Sequence, residues 1–365
     1  MLYKAIGIMS GSSLDGLDMV YVQFHETGGK WTYDLQYSHC FNYSSEWRRQ
    51  LESAIKFSAL EYQMLDTAYG HYIGQKVNEF IETNGLHHKV DMVASHGHTT
   101  FHLPALRTTS QIGDGAAIAA ETGLPVISNL RALDVALGGQ GAPIVPVGEK
   151  LLLGNYSYFL NLGGIANLSV NNPEKYLAFD VCPANRVLNM LVREMGKEFD
   201  ESGAIAATGT VHPPLLNELN GLEYYSMASP KSLSNDFGTD VVYPMIQQFD
   251  LSTQDELRTF TEHIALQIKG AIASVTTPVP TGDKMLLVTG GGTFNHFLVE
   301  RISENLKEAN VTVVVPEEKL VNYKEALILA LLGVLRWREE YNVLCSVTGA
   351  IKNSINGALW MGAEA

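Results

Sequence analysis

The sequence predicts an α/β protein with mixed sheets, divided between two domains. Three observations carry this. At 365 residues the chain exceeds what one ordinary core accommodates. Runs with strand character cluster, give way to helical runs, and return. A strand, a glycine loop and a second strand occur together twice, over 3–24 and again over 157–169. The expected first domain is 1–128 with 342–365 returning to it, and the second is 129–341.

Residues 3–9, 18–24 and 31–39 read as strands, the first two joined by the loop Ser10-Gly11-Ser12-Ser13-Leu14-Asp15-Gly16. Helical spacing follows near 45–57 and 59–84, the second with apolar positions at Leu60, Met64, Tyr69, Ile73, Val77 and Ile81. That stripe is either core packing or the face of a homodimer. VDMVAS (90–95) reads as a strand that turns at His96-Gly97-His98. A short helix follows the turn QIGDG, then the strand LPVIS and the loop 138–146. Three short strand-like runs fill 157–181. Helices are expected near 185–196, 240–249, 254–276, 294–307 and 323–340, with the strand MLLVT entering Gly290-Gly291-Gly292 between them.

Composition removes several function classes. The formal net charge is -14, and no basic run stands out, which disfavours nucleic acid and anionic membranes as partners. The longest apolar run, Ala326 to Leu335, is about half of a bilayer span. Cys40, Cys182 and Cys345 are far apart and show no CxxC spacing, which points to a reducing, cytoplasmic setting and no zinc site.

Three glycine-rich turns follow strands: Met9-Ser10-Gly11-Ser12-Ser13, Asn161-Leu162-Gly163-Gly164 and Thr289-Gly290-Gly291-Gly292. A phosphate chain needs close backbone approach and several N–H donors, which glycine permits. No GxxxxGK[ST] occurs, so this is not a Walker loop, and no GxGxxG stands at a first strand–helix turn. Two glycine hairpins in two domains are the layout of actin-like ATPases and sugar kinases. That layout implies a two-lobed actin/hexokinase-like (ribonuclease H-like) fold with ATP held in an interdomain cleft.

The resemblance then becomes specific. It rests on Gly7-Ile8-Met9-Ser10-Gly11-Ser12-Ser13-Leu14-Asp15-Gly16-Leu17-Asp18, on Ser95-His96-Gly97-His98-Thr99, on Gln111-Ile112-Gly113-Asp114, and on Arg131, Asp134 and Gly138 to Pro143. It continues through Asn161 to Asn167, Phe179-Asp180, Pro230-Lys231-Ser232, Gly290-Gly291-Gly292, Lys324-Glu325-Ala326 and Val347 to Ala350. In this order along the whole chain, the motifs resemble those of anhydro-N-acetylmuramic acid kinases.

The resemblance implies a reaction of cell-wall recycling. Mg-ATP and 1,6-anhydro-N-acetylmuramic acid bind, water opens the anhydro bridge at the anomeric carbon, and the released O6 takes the γ-phosphoryl group. The product is N-acetylmuramic acid 6-phosphate. Asp180 stands where the family places its water-activating aspartate. Gly11, Ser12, Ser13, Leu14, Asp15, Gly16, Leu17 and Asp18, with Gly163, Gly164, Gly290, Gly291 and Gly292, fall on nucleotide positions. His96, Arg131 and Glu325 fall on substrate positions.

The residues themselves allow plainer roles. Asp180 either takes a proton at a strand end or caps the following helix. Arg131 either pairs with a substrate carboxylate or holds structure together. Glu325 either meets sugar or complements a helix dipole. Of Asp15, Asp18, Asp114 and Asp134, one or two order Mg2+ through water, or each stabilises a turn. His96, His98 and His102 form H-x-H-x3-H, whose reading as a metal site is disfavoured by the turn at Gly97.

The chain also departs from the family's pattern. Asp180-Val181-Cys182-Pro183-Ala184-Asn185 stands where D-T-G-P-G-N is usual, Asn129 replaces an aspartate, and an arginine is missing near Asn235. These changes leave open another sugar, or an actin-like ATPase fold that binds or regulates without phosphorylating sugar.

Overall fold

The computed structural model describes residues 1–11, 13–172, 176–228, 231–234, 236–275 and 283–362. The chain forms two compact units, Met1–Leu153 with Tyr323–Ala365, and Gly154–Asn322.

The first unit is built on β1 (Leu2–Ser10), β2 (Gly16–Thr27) and β3 (Lys30–Asn42), followed by α1 (Ser45–Ser53) and α2 (Ala59–Thr83). β4 (Met92–Leu103), β5 (Thr108–Ile112), α3 (Gly115–Thr122), β6 (Val126–Ser128), α4 (Ala132–Ala136) and α5 (Pro146–Leu152) follow. In the second unit β7 (Tyr158–Leu162), β8 (Ile165–Val170) and β9 (Leu177–Pro183) precede α6 (Asn185–Arg193), α7 (Pro213–Asn220), α8 (Glu223–Ser226), α9 (Tyr243–Gln247) and α10 (Thr253–Ala273). β10 (Lys284–Thr289), α11 (His296–Leu306) and β11 (Val311–Val314) complete it. The chain then returns to the first unit through α12 (Glu318–Trp337), α13 (Cys345–Thr348) and β12 (Ala358–Trp360).

Both sheets are mixed and share one plan. In the first, the order is β12-β6-β4-β1-β2-β3, with β5 on β4; β1, β2 and β3 are antiparallel, and β1, β4 and β6 are parallel. In the second, the order is β11-β10-β7-β8-β9, again with an antiparallel β7–β8–β9 meander and parallel β7, β10 and β11. Counting within each unit, and setting β5 and β12 aside, both read third-second-first-fourth-fifth. The repeated strand–glycine loop–strand unit is therefore the visible part of a duplicated topology.

Local chemistry explains the helices that frame these sheets. Ser58 caps α2 and Glu61 answers it in a capping box. α2 buries Leu65, Tyr69, Ile73, Val77 and Phe80 in the first core, beside Ile6, Ile8 and Met19 of the sheet. Leu60 and Met64, at the head of the same stripe, are exposed. In the second unit α10 packs against α6, α7 and α11, with Phe260, Ile264 and Ile268 fully buried.

The domain limits differ from those expected at 128 and 342. Residues 129–153 and 323–341 belong with the first unit. The reason is close backbone packing and buried polar pairing. A Cβ on Gly7 would press against Ala326 and Ala330 of α12, and one on Gly333 would sit 2.6 Å from Ala94 Cβ of β4. α12 can therefore lie directly on the sheet. Lys324 of α12 is also paired with Glu149 of α5 at 3.1 Å, both nearly inaccessible to solvent. β4 likewise runs through Gly97 to Leu103 instead of turning there. Gly97 takes φ +73, and a bulge between Ile8 and Ser10 absorbs it.

Candidate active site

The second unit assembles the strongest constellation. Its three antiparallel strands place Asn161 opposite Asn167 and Asn167 opposite Asp180. The Asn161 side chain donates to Asn167 Oδ1 at 3.4 Å, and Asn167 Nδ2 donates to Asp180 Oδ1. Asp180 Oδ2 accepts the main-chain N–H of Leu233 at 2.8 Å. Burial raises the Asp180 pKa above its ordinary value, opposed by the Leu233 and Asn167 hydrogen bonds. Each oxygen thus holds one donor and keeps accepting capacity for another. Asp180 does not cap α6: the residue before the helix is Ala184, and no side chain caps it.

Two of the predicted glycine loops meet here. Gly163 and Gly164 form the β7–β8 turn, and their carbonyls accept the N–H groups of Asn185 at 3.1 Å and Ala184 at 2.9 Å. Gly290 takes φ +86, and a Cβ there would come within 2.5 Å of Asn161 Oδ1 and 2.9 Å of Leu162 O. A Cβ on Gly292 would come 2.7 Å from Leu162 Cβ. Gly290 and Gly292 are thus demanded by the packing of one loop on the other. Gly163 and Gly164 are not: added Cβ atoms would meet nothing closer than 3.4 Å and 3.7 Å. Gly291 is similarly open, with Asn185 Nδ2 at 4.0 Å. These open positions suit close approach by a phosphate chain.

Gly290→Ala is expected to strain the loop and push on Asn161. The loss should be about 1–3 kcal/mol of stability, from overpacking together with an unfavourable φ. Thermal melting reads it, and an unaltered variant would contradict the packing at Gly290.

In the first unit, Ser12 lies outside the described residues. Gly11, Ser13, Leu14 and Asp15 form the β1–β2 turn, closed by a bond from Leu14 N to Gly11 O at 3.4 Å. A Cβ on Gly11 would meet only Ser13 Oγ, at 3.6 Å, so this glycine too is open. Gly16 is packing-bound, since a Cβ there would lie 2.6 Å from Cys40 Sγ. Leu14 and Leu17 are core residues, 7% and 0% exposed, so their side chains hold the hairpin. Asp18 is partly buried; burial raises its pKa, a Cys40 hydrogen bond opposes this, and Glu325 and Asp15 raise it further.

The predicted substrate residues do gather. Arg131 Nε donates to His96 Nε2 at 2.7 Å, and Arg131 Nη1 donates to Gly141 O at 2.6 Å. His96 Nδ1 therefore carries the proton and donates to Gly97 O at 2.9 Å. Burial, with Arg131 next, pushes the His96 pKa down to about 3, so the ring is neutral. Burial also lowers Arg131 to about 10, while Glu325 and then Asp134 favour its charge. Glu325 is thus within electrostatic reach of both Asp18 and Arg131.

The remaining candidates have structural partners. Asp134 is wholly buried; it accepts from Gly141 N at 2.8 Å and Thr348 Oγ1 at 2.7 Å. Asp114 caps α3 through Ala116 N at 2.9 Å. His98 Nδ1 pairs with Ser10 Oγ at 3.1 Å, continuing to Tyr43 at 2.8 Å and Tyr69 at 2.5 Å. His102 Nδ1 pairs with Thr109 Oγ1 at 3.0 Å.

Asn167, which orients Asp180, is not among the residues expected in the site, although it ends the motif Asn161 to Asn167. Nor is the N–H of Leu233. The signal for Asn167 was the antiparallel meander itself, which sets Asn167 beside Asp180 once the register is known.

Residues 3–362 match the family model described as anhydro-N-acetylmuramic acid kinase. The chain is similar to the anhydro-N-acetylmuramic acid kinase of Vibrio parahaemolyticus, 31% identical over 370 residues and covering 97% of each chain. It is 32% identical over 372 residues to that of Hydrogenovibrio crunogenus, again covering 97% of each. Among solved structures, the activator of 2-hydroxyisocaproyl-CoA dehydratase from Clostridium difficile with bound ADPNP aligns over 92% of this chain and 96% of that one, at 13% identity and TM-score 0.46. With a family match from near one end to near the other, this chain belongs to the anhydro-N-acetylmuramic acid kinase family.

Proposed function

We propose that the protein converts 1,6-anhydro-N-acetylmuramic acid, ATP and water to N-acetylmuramic acid 6-phosphate and ADP, with Asp180 as the general base. One observation carries this reading: Asp180 ends the Asn161–Asn167–Asp180 line that starts at a glycine loop, with both carboxylate oxygens held. A fixed carboxylate with accepting capacity left over is what activation of a water requires. Asp180 takes one proton from water, the oxygen adds to the anomeric carbon, and the C1–O6 bond breaks. O6 then bonds the γ-phosphorus and ADP leaves.

Among the phosphate loops, Gly11, Gly163, Gly164 and Gly291 offer backbone where a side chain would meet little, which suits the nucleotide. Asp18, crowded by Glu325 and Asp15, offers hard oxygen donors suited to Mg2+. That ion would neutralise phosphate charge. His96, Arg131 and Glu325 are assigned to the sugar. Arg131 spends two of its five N–H donors on protein acceptors, leaving others for an anionic group. Among the described residues no helix is long and apolar enough to cross a membrane. The three cysteines are free, and we place the enzyme in the cytoplasm.

The altered segment does not block this assignment by bulk. Val181, Cys182 and Ala184 are 2%, 0% and 0% exposed and belong to the core of their unit. The position of the missing arginine, Asn235, lies outside the described residues.

The pH dependence tests the base. Asp180 works as the carboxylate, and burial lifts its pKa above the ordinary 3.8. kcat/KM should therefore be full at neutral pH and fall as pH drops through that raised value. A flat acid side down to the ordinary aspartate range would remove Asp180 from the role.

A further inference from the structure

We propose that Lys231 is a positioning residue that fixes Asp180 through the main chain of residues 231–233. The inference rests on the reading of Asp180 as the base.

β9 is an edge strand of its sheet, so among the described residues main-chain groups on its outer side find no strand partner. At Asp180 they are covered. Asp180 N donates to Lys231 O at 3.0 Å, and the Tyr224 hydroxyl donates to Asp180 O at 2.7 Å. Two residues after Lys231, Leu233 N donates to Asp180 Oδ2 at 2.8 Å. The segment 231–233 is thus a strap laid along the strand edge, and its far end holds the reactive carboxylate.

The strap has no regular structure of its own, and Lys231 anchors it. Lys231 Nζ donates to Tyr224 O at 2.8 Å and to Tyr225 O at 3.4 Å, both on α8. The ammonium also sits 4.4 Å from the centre of the Tyr224 ring. Tyr224 therefore holds the strap by its carbonyl to Lys231 and the strand edge by its hydroxyl to Asp180. Among the described residues no carboxylate pairs with Lys231. Its donors go to main-chain carbonyls, and the consequence is a fixed position for Leu233 N–H. Loosening the strap withdraws that donor, and a carboxylate that loses an N–H donor titrates at higher pH.

The test measures kcat, KM and the acid limb of kcat/KM in Lys231→Met, Lys231→Arg and Leu233→Pro, with thermal melting as a control. Lys231→Met should lower kcat about tenfold and move the acid limb up by about one pH unit, with KM for ATP within about twofold. Lys231→Arg should recover most of both. Leu233→Pro removes the N–H donor itself and keeps every charge, and should move the limb in the same direction. A wild-type limb and kcat in Lys231→Met overturn the proposal, whatever the melting temperature. A shift in Lys231→Met that is absent from Leu233→Pro also overturns it, since the cause would then be the charge and not the strap's N–H donor. If the wild-type enzyme itself has no acid limb, the assignment of Asp180 fails instead.

Discussion

Asp180→Asn is expected to lower kcat by about 10²- to 10⁴-fold while leaving the Kd for ATP within about twofold. The magnitude is that of removing a positioned general base, about 3–5 kcal/mol of transition-state stabilisation. The amide is nearly the same size as the carboxylate, so packing around it changes little. Its hydrogen-bonding differs, because both Asp180 oxygens accept N–H donors, from Asn167 and Leu233. One side of the new amide must face a donor with a donor, unless Asn167 turns its own amide over. The fold should survive this, since the site is only partly buried and lies at a sheet edge. Rapid-quench or coupled-assay turnover gives kcat, and nucleotide titration gives Kd. Full activity in the variant would end the role of Asp180 as base.

Lys324→Met should cost about 3–5 kcal/mol of stability, the largest loss expected from a substitution outside the reacting groups. Lys324 and Glu149 are 7% and 2% exposed at their side chains and lie 3.1 Å apart. Removing the cation takes the lysine away from a buried carboxylate, which is the expensive way to break such a pair. The pair also joins α5 to α12, separated by 175 residues in sequence. The thermal midpoint should fall by roughly 10 °C. The double variant Lys324→Met with Glu149→Leu should recover much of that loss, because both charges are then gone. Equal losses in the single and double variants would show that packing volume, and not the broken ion pair, sets the cost.

The fold was legible in the sequence where its signals are local. The hairpins at 3–24 and 157–169 announce themselves by alternation and glycine, and α2 and α10 by their apolar spacing. The domain limits were not, because they depend on partners far apart along the chain. Glu149 finds Lys324, and Asp134 finds Thr348 across 214 residues. Nothing near residue 134 or 149 announces those partners. The strand through Gly97 was hidden for another reason: a glycine at positive φ reads as a turn, and only the neighbouring strand shows that it is a bulge.

The site divides in the same way. Asp180 and the glycine loops belong to motifs and were named from sequence. The groups that hold Asp180 could not be named without register, because one is a cross-strand side chain and the other a main-chain N–H contributed 53 residues later. Arg131 shows the converse. Its residue type suited an anionic ligand, yet part of its donor capacity is spent on His96 and Gly141. The departures at 181–184 left another sugar open in the sequence, and what the structure adds is that Val181, Cys182 and Ala184 turn their side chains into the core.

The most direct measurement is a reaction of the enzyme with ATP and 1,6-anhydro-N-acetylmuramic acid in ¹⁸O-labelled water, analysed by mass spectrometry at early times. Water activated by Asp180 should place one ¹⁸O on the sugar of N-acetylmuramic acid 6-phosphate, with unlabelled phosphate and one ADP per sugar. Label in free inorganic phosphate, with the anhydro sugar unchanged, would contradict the account and mark a bare ATPase.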